Sequence, residues 1–148
     1  MAWQTELVSI LRQLINDTGS VTYSDSRLKD VLVVSAQFVK NEVDWDTTYT
    51  IDVPNTGISP DPTLTASRDD NFINLVELKS ACLVLRAEAK TLAGQAFTVV
   101  DGPSRIEVGG AFNATNAFAN GACEAYERAK LHYQAGNSVA GRVVLGPY

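Results

Sequence analysis

The stretch LVELKSACLVLRAEA, residues 75–89, decides the fold of this chain. Around it, apolar and small residues recur at alternating steps of three and four, which is the spacing of a coiled-coil seam. The members of this series are Leu75, Leu78, Cys82, Leu85, Ala89, Leu92 and Ala96. A helix that is also apolar on its neighbouring faces is normally buried on several sides. The pattern therefore predicts a long central helix that begins near Asp69 and Asp70.

Two shorter helices are predicted before the central one. The first carries an apolar stripe at helical spacing, formed by Leu7, Ile10, Leu11, Leu14 and Ile15. We expect Asp17-Thr18-Gly19 to end it, with Gly19 in the left-handed conformation. Ser24 or Asp25 can cap the second helix, whose wide apolar face should fade between Asn41 and Asp44.

The segment between the second helix and the central one has the pattern of extended chain. Tyr49, Ile51 and Val53 alternate with polar residues, as they do in a half-buried strand. Two turns that contain proline follow. We predict a β-like excursion over residues 47–64 that stands off the helical core.

Two further elements are predicted after the central helix. Phe97–Val100 and Arg105–Val108 are rich in strand-forming residues and flank an Asp-Gly turn, which predicts a hairpin over residues 97–108. Residues Ala111 to Gln134 have the pattern of a fourth helix. Its first half is rich in Ala and Asn, and Gly121 interrupts it. Because Asn and Gly are poor helix formers, its intrinsic stability is poor. Small residues permit close helix–helix approach, so we expect neighbouring surfaces to stabilise it.

Together these elements predict a mainly α fold: a bundle of about four helices with a small β-hairpin or strand excursion and an extended C-terminal arm. The helical domain should span residues 1–136, and the arm residues 137–148. The arm is unusually apolar for a chain end, which is normally polar and frayed. It can pack on its own domain or insert into a neighbouring chain as an extended strand.

Charge and hydropathy exclude two classes of partner. The net charge is −5, and an acidic domain repels nucleic-acid phosphates, so extensive DNA or RNA binding is not expected. Lys79, Arg86 and Lys90 share one helical face, which we interpret as solvated. No apolar stretch is long enough to span a membrane, and the N-terminus lacks the pattern of a secretory signal.

Residues suited to catalysis or metal binding are few. His132, the one histidine, is expected to be a surface or packing residue. The pair Asp44 and Asp46 lacks the rest of a calcium-loop pattern. The pair Asp69 and Asp70 is explained by capping of the central helix. Cys82 and Cys123 form no CxxC pair, and we expect two buried, reduced thiols, although a disulfide stays open. We therefore expect no catalytic residue, no cofactor and no metal.

The opening third of the chain carries a recognisable pattern. It contains Leu11-Arg-Gln-Leu-Ile-Asn-Asp17, then a short link, then Tyr23-Ser-Asp-Ser-Arg-Leu28 at the start of the second helix. This resembles the head-tail connector (adaptor) proteins of tailed double-stranded DNA bacteriophages, in which Leu-Arg-x-Leu-Ile-x-Asp precedes Tyr-(Ser/Thr)-Asp-x-x-Leu. The order of elements is similar over most of the chain, and the motif is sharp only between Leu7 and Val39.

The resemblance implies a structural virion protein whose identical copies form a ring, commonly a dodecamer. Such a ring docks beneath the portal at the capsid vertex, contacts a neck or tail protein below, and lets DNA pass without specific binding. It implies assembly in the bacterial cytoplasm and no membrane partner. C-terminal segments of this family often contact the portal, so the expected portal-binding residues are Val139, Arg142, Val143, Leu145 and Tyr148.

Three alternatives stay open on the sequence alone. A neck or tail-completion protein of the same virion would be richer in strand, with a helix content below about a third. A small enzyme would have to use His132 or a carboxylate pair. A helical binding module from a host genome is the third.

Overall fold

The computed structural model describes residues 2–98 and 102–137, with backbone alone for residues 95–98, 102–111 and 137. In these residues the chain forms four α-helices, a small antiparallel sheet and one 3-10 turn. Their bounds are α1 (Ala2–Leu14), α2 (Asp25–Glu42), β1 (Thr50–Asp52), β2 (Gly57–Ser59), the 3-10 turn (Thr65–Ser67), α3 (Asp70–Thr98) and α4 (Gly102–Asn137). The predicted mainly α bundle with a small strand excursion is confirmed.

Helix α3 is the centre of the bundle, as its apolar pattern predicted. It contacts each of the other three helices, and Phe72, Leu75 and Val76 are almost completely buried. Asp69 caps its N-terminus by accepting a hydrogen bond from the backbone N–H of Phe72 at 3.1 Å. Because α3 is covered on several sides, its burial supplies much of the apolar free energy that orders its neighbours.

The excursion between α2 and α3 is a β-hairpin, but it does not stand off the core. Ile51 of β1 pairs with Ile58 of β2, and both strands pack on α2. Tyr49 and Ile58 are each 2 % exposed and belong to the same apolar cluster as the helices. Tyr49 stacks on Phe72, and its hydroxyl donates to Asp69 at 2.7 Å. The expectation of a detached excursion is therefore wrong, because its aromatic and aliphatic side chains fill the core.

The predicted hairpin over residues 97–108 is also wrong in the part that is described. Residues 97–98 end α3, and residues 102–108 open α4, which is longer at both ends than the predicted 111–134 helix. Pro103 lies in the first turn of α4, where its missing N–H would have had no intrahelical partner. Gly102 and Pro103 thus open α4 rather than forming part of a β-turn between strands.

A buried arginine organises the link between α1 and α2. Arg12 Nη1 lies 2.8 Å from Asp17 Oδ2, while Nη2 lies 2.5 Å from Asp25 Oδ1 and donates to the carbonyl of Tyr23. Asp17 in turn accepts hydrogen bonds from the backbone N–H groups of three successive residues, Val21, Thr22 and Tyr23. The pKa of Asp17 is lowered, mainly by the hydrogen bond from the backbone N–H of Thr22, although burial of the carboxylate acts in the opposite direction.

This network replaces the glycine stop that the sequence suggested. Helix α1 ends at Leu14, and the left-handed residues of the link are Asn16 and Ser20, not Gly19. Ser24 caps α2 by accepting from the backbone N–H of Arg27 at 3.1 Å. The side chain of Asp17, rather than a flexible backbone, therefore sets the geometry of the turn.

Replacing Arg12 with Met should lower the melting temperature by roughly 10 °C, because the buried carboxylate of Asp17 would lose its cationic partner. The matched control is Arg68→Met, because Arg68 pairs with Glu6 and Asp70 at an exposed site. That change should shift the melting temperature by no more than about 3 °C. Thermal unfolding followed by circular dichroism measures both. Equal shifts in the two variants would contradict the role given to Arg12.

Candidate functional site

One polar attachment of α4 to the bundle is made through a carboxylate near the C-terminal end of the helix. The Tyr126 hydroxyl donates a hydrogen bond to Glu42, the last residue of α2. The ammonium groups of Lys79 and Lys130 lie 3.8 and 3.6 Å from the same carboxylate, and Gln134 Nε2 donates to the Glu42 carbonyl at 3.3 Å. We call this set the Glu42 anchor.

The electrostatics of the Glu42 anchor favour its charged form. Burial raises the pKa of Glu42, but the hydrogen bond from Tyr126 and the two ammonium groups outweigh it, so the pKa is lowered overall. Burial and the hydrogen bond to Glu42 raise the pKa of Tyr126, which therefore stays protonated. Lys79 also lies over the Tyr126 ring, 4.9 Å from its centroid. Lys79 is thus not the freely solvated cation that its sequence position suggested.

A disulfide between Cys82 and Cys123 joins α3 to α4 on the N-terminal side of the Glu42 anchor. The two Cα atoms are 4.7 Å apart, and the residues are 4 % and 8 % exposed. The expectation of two reduced thiols is wrong for this structure, because the small residues of the α3–α4 seam bring the helices close. Closing a loop of this length is worth about 4 kcal/mol on the chain-entropy scale.

An apolar groove lies between α1 and α4, with α3 as its floor. Within the described residues α1 and α4 both pack on α3 but not on each other, which leaves a space of about 620 Å³. Its wall residues include Leu14, which is 44 % exposed, and Phe118, which is 69 % exposed. The lining consists of Leu14, Ile15, Asn16, Leu78, Ala81, Leu85, Ala117, Phe118, Gly121, Ala122 and Ala125. We call this the α1–α4 groove.

The opposite flank of the α3–α4 seam has a different character. A second concave surface of about 480 Å³ is lined by the disulfide and by charged side chains. Lys79 and Arg86 come from α3, while Glu124 and Arg128 come from α4. The two flanks share no lining residue. The α3–α4 pair therefore presents one apolar and one charged side.

The residues that the sequence singled out are not brought together. Val139, Arg142, Val143, Leu145 and Tyr148 lie outside the described residues. His132 is exposed on α4, and Asp44 and Asp46 are exposed beyond α2. Asp69 caps α3 and Asp70 binds Arg68, so both have structural partners. In residues 2–98 and 102–137, no three His, Cys, Asp or Glu side chains are grouped so as to hold a metal, and no helix is both long and apolar enough to cross a membrane.

One buried carboxyl group has an unusual environment. Glu77 on α3 is 2 % exposed, and in the described structure neither of its side-chain oxygens has a hydrogen-bond partner. Burial, with a smaller contribution from Glu6, raises the pKa of Glu77 to about 9. A perturbed pKa often marks a catalytic group. Glu77, however, lines neither the α1–α4 groove nor the charged flank. We therefore interpret it as a buried, protonated carboxylic acid in the core.

The chain was compared with known proteins by sequence and by structure. No protein-family model matches it, and no curated protein or solved structure is significantly similar to it. We therefore infer the function from the surfaces of the molecule. Sequence patterns missed the α1–α4 groove, because Leu14 and Phe118 look like ordinary helix residues until α1 and α4 are seen to leave a gap between them.

Replacing Glu77 with Met should stabilise the protein, and the gain should grow with pH. Below pH 4.5 the carboxyl group is protonated in both states, whereas between there and about pH 9 only the unfolded chain releases the proton. Wild-type stability therefore falls by up to about 1.4 kcal/mol per pH unit over that range. Urea unfolding at pH 5 and pH 8 measures the difference. Asp46→Asn, at an exposed position, is the control, and a pH-independent gain in Glu77→Met would contradict the assignment.

Proposed function

We propose that this chain is a head-tail adaptor of a tailed double-stranded DNA bacteriophage. In this proposal identical copies form a ring at the capsid–tail junction, beneath the portal and above a neck or tail protein. The ring extends the DNA channel, and the subunit performs no catalysis. The proposal comes from the motif in α1 and α2. It is supported by the structure of the α1–α2 link and by the groove beside it.

The α1–α4 groove is the observation that carries the proposal. Within the motif, Arg12, Asp17 and Ser24 are fully used in folding the α1–α2 link. Leu11 and Leu28 are fully buried, whereas Leu14 is 44 % exposed at the edge of the groove. An apolar groove that its own chain leaves open is typical of a protein interaction site. Its lining offers almost no polar groups to orient a small ligand.

The difference between the two flanks suits a closed ring. A subunit in a ring contacts its neighbours through two different surfaces, in a heterologous contact that closes by rotation. The apolar α1–α4 groove and the charged flank of the α3–α4 seam are two such surfaces on opposite sides of one helix pair. Gly121 leaves open space where a Cβ would stand, so another helix can approach α4 closely there.

The mainly helical content favours an adaptor over the nearest alternative, a neck or tail-completion protein. A neck or tail-completion protein would be expected to contain more strand, and the described chain has two three-residue strands beside four helices. The net charge of −5 is compatible with a lumen that repels DNA and lets it slide. The C-terminal residues from Val139 to Tyr148 are the proposed contact with the portal.

Replacing Phe118 with Asp should prevent ring formation without unfolding the subunit, because a charge would enter an apolar contact from an exposed position. Native mass spectrometry and electron microscopy of the purified chain, with and without the portal protein, measure assembly. Val21→Asp is the matched control, since Val21 is 89 % exposed and lies outside the groove. Rings of Phe118→Asp, or wild-type monomers that ignore the portal, would refute the proposal.

Deleting residues Asn137 to Tyr148 should leave the helical bundle folded and abolish docking to the portal. The Glu42 anchor holds the C-terminal half of α4 through residues that the deletion retains, so the melting temperature should change little. Co-sedimentation with the portal measures docking. A truncated chain that docks as the full chain does would show that the arm is not the portal contact. This conclusion does not depend on whether the subunits form a ring.

A further inference from the structure

We infer that Cys82 and Cys123 form a thiol–disulfide exchange site for an anionic low-molecular-weight thiol, and that its redox state controls the order of the N-terminal half of α4. The inference is independent of the proposed virion role. It rests on where the disulfide lies, on the charges beside it, and on how unevenly α4 is held to the bundle.

The disulfide lies at a surface that a small reagent can enter. Both cysteines line the concave surface of about 480 Å³ on the charged flank, although each is largely buried. Cys123 is the more exposed of the two, at 8 % against 4 % for Cys82. We assign the attack of an incoming thiolate to the sulfur of Cys123, and the location of the adduct tests that assignment.

The charges around the pair make Cys82 the better leaving group. Arg86 stands four residues after Cys82, so it lies on the same face of α3, and both residues line the surface. Nearby cations stabilise a thiolate and lower its pKa. Cys123 instead has Glu127 one turn away on α4. Glu124 and Arg128 also line the surface, both from α4, so Arg86 is a lining cation on the same helix as the sulfur that must leave.

The thiol reagent alone supplies the atoms and electrons that the disulfide exchange requires. A thiolate attacks Cys123 Sγ, the Cys82–Cys123 bond breaks, and Cys82 leaves as a thiolate while a mixed disulfide forms on Cys123. A second thiolate attacks the reagent's sulfur in that mixed disulfide and releases Cys123. The two reagent molecules leave as one disulfide, having supplied two electrons and two protons. The reverse sequence, with the reagent's disulfide as oxidant, restores the bond.

Reduction should affect one half of α4 and spare the other. The Glu42 anchor holds the helix from Tyr126 onward, and its contacts do not depend on the disulfide. Residues 112–122 contain Asn113, Asn116, Asn120 and Gly121, which are poor helix formers. The disulfide is the covalent tie beside that segment. Phe118 and Gly121 belong to it, so the redox state also controls one wall of the α1–α4 groove.

The test places the native full chain in buffers of reduced and oxidised glutathione at several ratios. Thiol alkylation followed by mass spectrometry gives the fraction of disulfide and locates any adduct, while amide hydrogen exchange gives local order. The variants are Arg86→Gln, with Arg27→Gln as the matched control on α2, and the double variant Cys82→Ser/Cys123→Ser. 2-Mercaptoethanol, an uncharged thiol, serves as the second reductant.

The inference predicts reversible, ratio-dependent loss of the disulfide and a transient glutathione adduct on Cys123. Arg86→Gln should slow reduction by glutathione about threefold or more, and reduction by 2-mercaptoethanol less, while Arg27→Gln leaves both rates unchanged. Reduction should speed exchange of amides 112–122 by roughly tenfold and leave amides 126–134 nearly unchanged, and the double variant should show the same pattern without glutathione.

Three results would overturn the inference. One is a disulfide that resists excess reduced glutathione until the protein is unfolded by denaturant. Another is equal rates in Arg86→Gln and Arg27→Gln. The third is a uniform rise in exchange over both halves of α4, because it would mean that the bond stabilises the whole bundle rather than one segment.

Discussion

The structure depends on the burial of α3, which carries more apolar surface than any single neighbour can cover. Helices α1 and α2 and the side chain of Tyr49 cover one side of it, and α4 covers another. Since the free energy of folding comes mainly from apolar area removed from water, each neighbour is ordered by its contact with α3. The α1–α4 groove is an apolar part of α3 that the described elements leave uncovered.

The neighbours of α3 are stabilised in different ways. The α1–α2 link is fixed by a polar network, in which Arg12 compensates a buried carboxylate that also orders three backbone amides. Helix α4 instead depends on two separate attachments, because its sequence forms helix poorly before Cys123 and better after it. The Glu42 anchor serves the better half and the disulfide the poorer one.

The sequence predicted the elements in which apolar residues recur with a clear period. It failed for the features that are determined by contacts between residues distant in the chain. Helices α1, α2 and α3 and the strand β1 follow from local patterns of apolar residues. The stretch over residues 97–108 has strand-forming residues, yet its described part is helical. Local strand and helix propensities are weak and are often overridden by the rest of the fold. The disulfide joins residues 41 positions apart, and no local pattern reports such a pair. The α1–α4 groove depends on the separation of two helices, which spacing along the chain does not encode.

The weaker half of α4 is also the half that forms a wall of the groove. Residues such as Phe118 and Gly121 keep little apolar contact with their own chain, so their order costs conformational entropy that local packing does not repay in full. A partner seated in the groove would supply the missing contacts and would bind more tightly when the wall is already ordered, since less entropy would then be lost on binding. The disulfide, on the opposite flank, orders that same wall. Partner binding and disulfide formation should therefore be thermodynamically coupled, with each favouring the other, although they act on opposite sides of the α3–α4 seam.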